Sequence, residues 1–141
     1  MRVLGVDWGE RRIGLALSDP TGTIASPLTT LTYRARKRPP LRDLERIARE
    51  HGAEAIVIGL PLTLAGEESE RCGDVRRAGE TLAGRLGVPV DYIDERLTSV
   101  RAKRVIHSLD LPKSERERKG RVDAVAAALI LQGWLDRKSR Q

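Results

Sequence analysis

The sequence predicts an α/β domain built on a mixed five-stranded sheet, an antiparallel three-stranded meander plus two parallel strands, flanked by helices. Two observations carry this expectation. Three short apolar runs separated by tight turns crowd the first 31 residues, and two later strand-like runs are each preceded by a stretch of helical periodicity. The 141 residues match one domain on the prior of ~100–200 residues per domain, so residues 1–141 are expected to form one unit with a real core.

The elements follow in order. Arg2–Val6 is a short apolar run ending at Asp7, and a tight turn around Gly9 leads to a second strand, Ile13–Leu17. Pro20-Thr21-Gly22 is turn punctuation. Thr23–Leu31 is β-branched enough for a third strand, and Pro27 puts it at a sheet edge. Tyr33–Arg38 is a basic loop closed by Pro39-Pro40. Leu41, Leu44, Ile47 and Ala48 then recur at helical spacing up to Gly52. Ala55–Ile58 is an apolar strand stopped by Gly59-Leu60-Pro61. A second helix carries Cys72, Val75, Gly79, Leu82 and Leu86 on one face and stops at Gly87. Val88–Ile93 is the fifth strand, ending in Asp94-Glu95. Thr98 or Ser99 can cap a third helix bearing Val105, Ile106 and Leu109. Leu111–Gly120 reads as a polar, basic loop. The final helix, from about Arg121 to Leu135, is apolar nearly all round.

Composition narrows the function classes. Apolar residues make up 40% and charged residues 33%, as in a soluble globular protein, and no apolar run approaches the ~18 residues of a membrane span. The first run is broken by Asp7, unlike a secretory signal. The single cysteine, Cys72, excludes an internal disulfide, suits a reducing cytoplasmic compartment and cannot build a cysteine-rich zinc site. It reads as a small core residue. His51 sits at a helix end, and His107 has no metal-ligand spacing with another His or Cys.

The net charge of +6 is unevenly spread. Arg34, Arg36, Lys37, Arg38 and Arg42 fall in a window without acids, and Arg101–Arg121 carries eight bases, among them Arg104 and Lys119, against three acids. Concentrated positive charge is the footprint of a polyanion binder, because each neutralised phosphate releases condensed counterions; the plainer reading is a solvated basic face. Only Trp8, Tyr33, Tyr92 and Trp134 are aromatic. Single-strand readers usually offer several stacking platforms, so backbone and shape contacts fit better.

Three acids stand where acids are costly. Asp7 ends the first strand, Glu95 lies just beyond the fifth, and Asp123 sits in the apolar final helix with Ala126, Ala127 and Ile130 on its side. A buried, unpaired carboxylate costs several kcal/mol, so each needs a cation or strong donors. Parallel strands end at one rim of an open sheet, where ligands bind, so Asp7 and Glu95 would share that rim and a crossing helix would add Asp123. Converging carboxylates attract Mg²⁺ or Mn²⁺. Two such ions ~3.5–4 Å apart activate water and stabilise the leaving oxygen of a phosphodiester. Each acid also has a structural alternative. Asp7 could cap the turn at Gly9, Glu95 could pair with Arg96 or Arg101, and Asp123 could cap the last helix.

These residues also carry a resemblance. The run Gly5-Val6-Asp7-Trp8-Gly9-Glu10-Arg11-Arg12-Ile13-Gly14-Leu15-Ala16-Leu17-Ser18-Asp19 resembles the opening motif of the bacterial YqgF/RuvX family. Gly59-Leu60-Pro61-Leu62, Asp94-Glu95-Arg96-Leu97-Thr98-Ser99 and the helix from Asp123 to Leu131 resemble its later motifs, in the same order along essentially the whole chain. Ser99 stands where the family often has a second Thr; a hydroxyl is retained. The resemblance implies a ribonuclease-H-like fold and a nuclease, either a Holliday junction resolvase or an enzyme maturing the 5′ end of pre-16S rRNA. It implies that Asp7, Glu95 and Asp123 are the metal-binding catalytic acids; the expected mechanism has Asp7, nearest the sheet centre, bridging two Mg²⁺ or Mn²⁺ ions while Glu95 and Asp123 each complete one site. It also implies that bases near Arg11, Arg12, Arg96 and Arg121 contact phosphate. The expected partner is branched DNA or precursor rRNA, and paired cuts in a four-way junction suggest a homodimer.

Two other readings compete. Asp-x-Gly before a second strand also begins the phosphate-binding hairpin of actin-like and Hsp70-like ATPases, but those enzymes close two such domains over a nucleotide, and no G-x-x-x-x-G-K-[ST] element is present. A non-catalytic nucleic-acid-binding factor would use the same basic windows and keep the acids as structural remnants.

Overall fold

The computed structural model describes residues 1–9, 11–34, 38–62, 65–94 and 115–140, with the side chains of 115–121 outside that set. Among the described residues, five strands and three helices follow one another as β1 (Val3–Trp8), β2 (Arg12–Ser18), β3 (Ala25–Thr32), α1 (Leu41–Glu50), β4 (Ala55–Leu60), α2 (Glu70–Leu86), β5 (Val90–Asp94) and α3 (Glu115–Ser139). The strands lie in the order β3-β2-β1-β4-β5. β1–β2 and β2–β3 pair antiparallel, while β1–β4 and β4–β5 pair parallel. The expected meander and parallel pair are therefore both present.

The strand sequences explain the layering. β1 and β4 are almost continuously apolar because both of their faces are covered. On one face Leu4, Val6, Trp8, Ile13, Leu15, Ile56 and Ile58 pack with Leu44 and Ile47 of α1 and with Cys72, Val75 and Leu82 of α2. On the other, Val3, Ala16, Ala55 and Val57 meet Ala127, Ile130, Leu131 and Trp134 of α3. β3 is an edge strand, as Pro27 requires of a residue with no N–H to donate. Its register with β2 slips between Leu15 and Ala16, leaving one extra residue beside that proline.

Glycines set how deep α3 sits. A Cβ at Gly5 would lie 2.7 Å from the Leu131 Cβ, and one at Gly14 would lie 1.9 Å from the Asp123 carbonyl oxygen. The helix backbone therefore rests almost directly on β1 and β2.

Several boundaries differ from expectation: β1 starts at Val3 and runs through Asp7 to Trp8, β3 spans Ala25–Thr32, β4 continues through Gly59 to Leu60, and α3 ends at Ser139, not near Leu135. β2 takes in Arg12 and Ser18, whose backbones continue the ladder. β5 starts at Val90, because Pro89 has no donor and offers only its carbonyl, which accepts from Ile56 N–H at 3.0 Å. The largest correction concerns the expected loop at Leu111–Gly120, because residues 115–120 already belong to α3. Glu, Arg and Lys are strong helix formers, and Gly120 costs only ~1 kcal/mol inside a helix; a polar run resembled a loop only because it lacks an apolar stripe. The expected helix over Thr98–Leu109 lies outside the described residues. Among the described residues no helix is long and apolar enough to cross a membrane.

The turn after β2 is organised by Asp19. Its carboxylate accepts the Thr21 hydroxyl and the amides of Thr23 at 2.8 Å and Ile24 at 2.9 Å. The Ile24 amide, the Thr21 hydroxyl and the Thr23 amide together hold its pKa far below the ordinary carboxylate range. This lies at the opposite end of β2 from Asp7, so Asp19 is a structural acid.

Two outcomes follow from these contacts. Gly14→Ala forces α3 off the sheet and should cost ~3 kcal/mol or more, whereas Gly84→Ala, with nothing near its Cβ, should gain ~0.5–1 kcal/mol; thermal melts of both variants check this. Because the folded pKa of Asp19 is depressed, its contribution is present above the unfolded value of ~3.9 and fades as pH falls below it. Asp19→Asn should accordingly lower the urea midpoint at pH 7 and flatten its decline between about pH 4 and pH 2.

Candidate active site

The carboxyl ends of β1 and β4 form the rim at which the site is built. Asp7 is the fifth residue of β1, in register with Gly14 of β2 on one side and Gly59 of β4 on the other. Neither neighbour has a side chain, so the Asp7 carboxylate stands in a lane cleared on both flanks. Val3 and the would-be Cβ of Gly5 face α3, and strand alternation puts Asp7 on that face too. It is half-buried and makes no hydrogen bond or ion pair with any described residue. The turn it was expected to be able to cap is closed instead by the backbone, Gly9 N–H donating to the Arg12 carbonyl at 2.9 Å.

Asp123 is brought to the same place by the helix. Gly14 lies beside Asp7, and the α3 backbone crosses over Gly14 at Asp123 itself. Residues separated by 116 positions thus meet on one face of the sheet. α3 begins eight residues before Asp123, which removes the helix-capping alternative for this acid. The Asp123 side chain is 19% exposed, and its Oδ2 accepts a 2.6 Å hydrogen bond from Nε of Arg12, whose side chain is 38% exposed. So one of the two described acids has a cationic partner already.

The hairpin between β1 and β2 sets that arginine. A Cβ at Gly9 would come 2.5 Å from the Arg12 carbonyl oxygen, so the tight turn needs glycine. Tyr33 buttresses it by donating its hydroxyl to the Gly9 carbonyl at 2.6 Å and its amide to the Arg11 carbonyl at 2.9 Å. Arg11 is left exposed at the tip, while Arg34 and Arg38 are exposed beyond β3. Arg36, Lys37, Arg96, Arg101 and Arg104 lie outside the described residues, as do the side chains of Lys119 and Arg121 on α3.

Glu95 also lies outside the described residues. Ile93 is level with Gly59 and hence with Asp7, and Asp94 is one step further along β5. Among the described residues no group of three acids, histidines or cysteines is gathered as a metal site. The two described acids nonetheless suit a hard divalent cation. They are oxygen donors on one face, and a half-buried carboxylate without a described partner calls for a positive charge. Cys72 is core, as expected.

One functional candidate escaped the sequence. Arg71, in the first turn of α2, donates from Nη2 to the Trp8 carbonyl at 3.0 Å, so its guanidinium sits at the rim next to Asp7 in the chain. A base in a first turn works against the helix dipole, and that misfit was the available signal.

Comparison with known proteins gives the following. A family model described as RuvX, Holliday junction resolvase, matches residues 1–137. A protein of Thermosynechococcus vestitus named "Putative pre-16S rRNA nuclease" is 42% identical over 138 residues, covering 98% of this chain and 89% of that protein. One of the same name from Moorella thermoacetica is 43% identical over 137 residues, covering 97% and 96%. The Thermus thermophilus RuvC structure superposes with a TM-score of 0.59 at 16% identity over 99% of this chain and 97% of that one. The same protein in complex with a Holliday junction substrate gives 0.58 at 19% identity, covering 98% and 96%. These likenesses assign the sheet and helices to the ribonuclease-H-like fold.

The two acids should respond oppositely to neutralisation in metal-free buffer. Asp7→Asn relieves a half-buried charge and should raise stability by ~1 kcal/mol. Asp123→Asn weakens the bond to Arg12 and should lower it by about 1 kcal/mol. Urea denaturation in the presence of a chelator reads both.

Proposed function

The chain belongs to the RuvX family, and on that premise we propose that it is a metal-dependent nuclease hydrolysing phosphodiester bonds of structured nucleic acid. The observation that carries the reading is the crossing of α3 over Gly14, which sets Asp123 beside Asp7 at the ends of parallel strands. Structural packing alone gives no reason to keep two acids on the apolar side of a sheet.

In this reading Asp7, Asp123 and Glu95 hold Mg²⁺ or Mn²⁺. Two such ions would supply an activated water and neutralise the charge that develops on phosphorus. The remaining work falls to the chain. β1, central and covered on both faces, holds the Asp7 carboxylate rigidly, and the glycines flanking it leave room for a phosphodiester to approach closely. Exposed Arg11, Arg34 and Arg38, with Arg71 at the rim, bind the nucleic-acid backbone through phosphate. Arg36, Lys37, Arg96, Arg101, Arg104, Lys119 and Arg121 are the further phosphate contacts of this reading. Breaking the P–O3′ bond leaves a 3′-hydroxyl and a 5′-phosphate.

The substrate favoured is precursor 16S rRNA, because the relatives above 40% identity carry that name. Likeness to a junction-bound structure at 19% identity supports the fold and leaves branched DNA as the second substrate to test. The chain acts as a single nuclease domain over residues 1–141 in the cytoplasm, and as a two-fold dimer where paired cuts are required.

The test is cleavage of a precursor rRNA fragment, a flap and a four-way junction in Mn²⁺ by wild type and Asp7→Asn. The variant should lose more than ~10²-fold in rate, the scale that loss of an outer-shell partner already reaches, while its affinity for nucleic acid stays within about twofold. Equal cleavage by both proteins overturns the assignment of Asp7. Binding without cleavage by the wild type leaves a non-catalytic nucleic-acid-binding factor.

A further inference from the structure

Arg12 was expected to contact phosphate, and its position supports a more specific role. It sits on β2 at the exit of the Gly9 turn, and its guanidinium reaches Asp123 through Nε alone at 2.6 Å. Its two Nη groups have no described partner, and the side chain is 38% exposed. One edge of the guanidinium thus neutralises a carboxylate at the site while the other is left for a further acceptor. An arginine fork of this kind matches a phosphate in geometry and charge.

We propose that Arg12 is a placeholder that substrate displaces: it holds Oδ2 of Asp123 until a nucleic-acid phosphate draws the guanidinium away, and a divalent cation then meets one competitor fewer at that oxygen. The proposal rests on the nuclease reading and adds regulation to it. The physical requirement is that one carboxylate oxygen is claimed by two cations in turn. A guanidinium and a divalent ion at the same carboxylate oxygen repel one another, so each weakens the other's hold on Oδ2 and the two compete for it. Thermodynamic linkage then makes phosphate and metal binding mutually favourable, because each removes the competitor of the other. An enzyme built this way loads its metal best on substrate and holds Asp123 in place meanwhile.

The sign of one measurement separates this from a merely structural pairing. Mn²⁺ binding, without nucleic acid, is measured by calorimetry or electron paramagnetic resonance on wild type, Arg12→Gln and Arg11→Gln. The last removes the same charge from the exposed hairpin tip and controls for the general field. Exchange expects Arg12→Gln to bind Mn²⁺ roughly tenfold tighter than wild type, the scale of a charge-assisted hydrogen bond removed from competition, with Arg11→Gln changing much less. A structural anchor expects the reverse, since an Asp123 no longer held by Arg12 would bind the ion more weakly. Circular dichroism and a thermal melt verify folding, and Arg12→Met, which removes the charge and keeps an unbranched side chain, serves if Arg12→Gln does not fold; it should also bind Mn²⁺ more tightly. A second readout is affinity for nucleic acid in chelator, where Arg12→Gln should lower the dependence of log K on log salt by about one contact. Mn²⁺ binding to Arg12→Gln that is no tighter than to Arg11→Gln overturns the exchange and leaves the nuclease reading standing. No Mn²⁺ binding by any of the proteins overturns both.

Discussion

The close seat of α3 on the sheet is the constraint from which the rest follows. At Gly5 and Gly14 the strand backbone offers no Cβ, and the helix comes down until Leu131 and the Asp123 carbonyl occupy the space a side chain would need. Any larger residue at Gly14 would push the helix outward, and Asp123 with it. The site is thus not added to a finished fold. It exists because of how two layers pack, and its geometry is as rigid as that packing.

Magnitudes show why an acid tolerates this position. Ile130, Leu131 and Trp134 are all nearly buried against the sheet, and each such side chain contributes ~1.5–3 kcal/mol on leaving water. Together they outweigh the several kcal/mol that one partly buried carboxylate costs. The apolar stripe therefore decides where α3 lies, and the acid is carried to the rim. Arg12 then offsets part of the cost at Asp123, whereas Asp7 has no such relief from a described residue. That asymmetry between two acids on one face is the electrostatic character of the site.

A second consequence concerns the hairpin. Gly9, Tyr33 and the backbone of Arg11 and Arg12 are tied by three hydrogen bonds, from the Gly9 amide and from the Tyr33 amide and hydroxyl, so the guanidinium of Arg12 springs from a fixed base. A flexible side chain on a fixed base can exchange partners without moving the fold. The opposite end of β2 is organised by Asp19, whose acceptor oxygens are spent on its own turn. Asp7 and Asp19 both lie near strand ends, and the proposed reading gives the chemistry to Asp7, which has no partner among the described residues.

Much of this was legible from residue order. Apolar runs, their breakers and the helical spacing of Leu44, Ile47 and Ala48 are local signals, and they identified every described strand and helix. Asp7 was conspicuous because an acid ends an otherwise apolar strand. The polar start of α3 was missed because a helix without an apolar stripe has the composition of a loop, and that error kept a capping role open for Asp123. The partnership of Arg12 with Asp123, 111 residues apart, and the arrival of Arg71 beside Trp8 have no local signature. Periodicity and turn chemistry act over a few residues, so the chain declares them by itself. Which distant groups touch depends on strand register and on how deeply a helix settles, and those are set by the summed packing of the whole molecule.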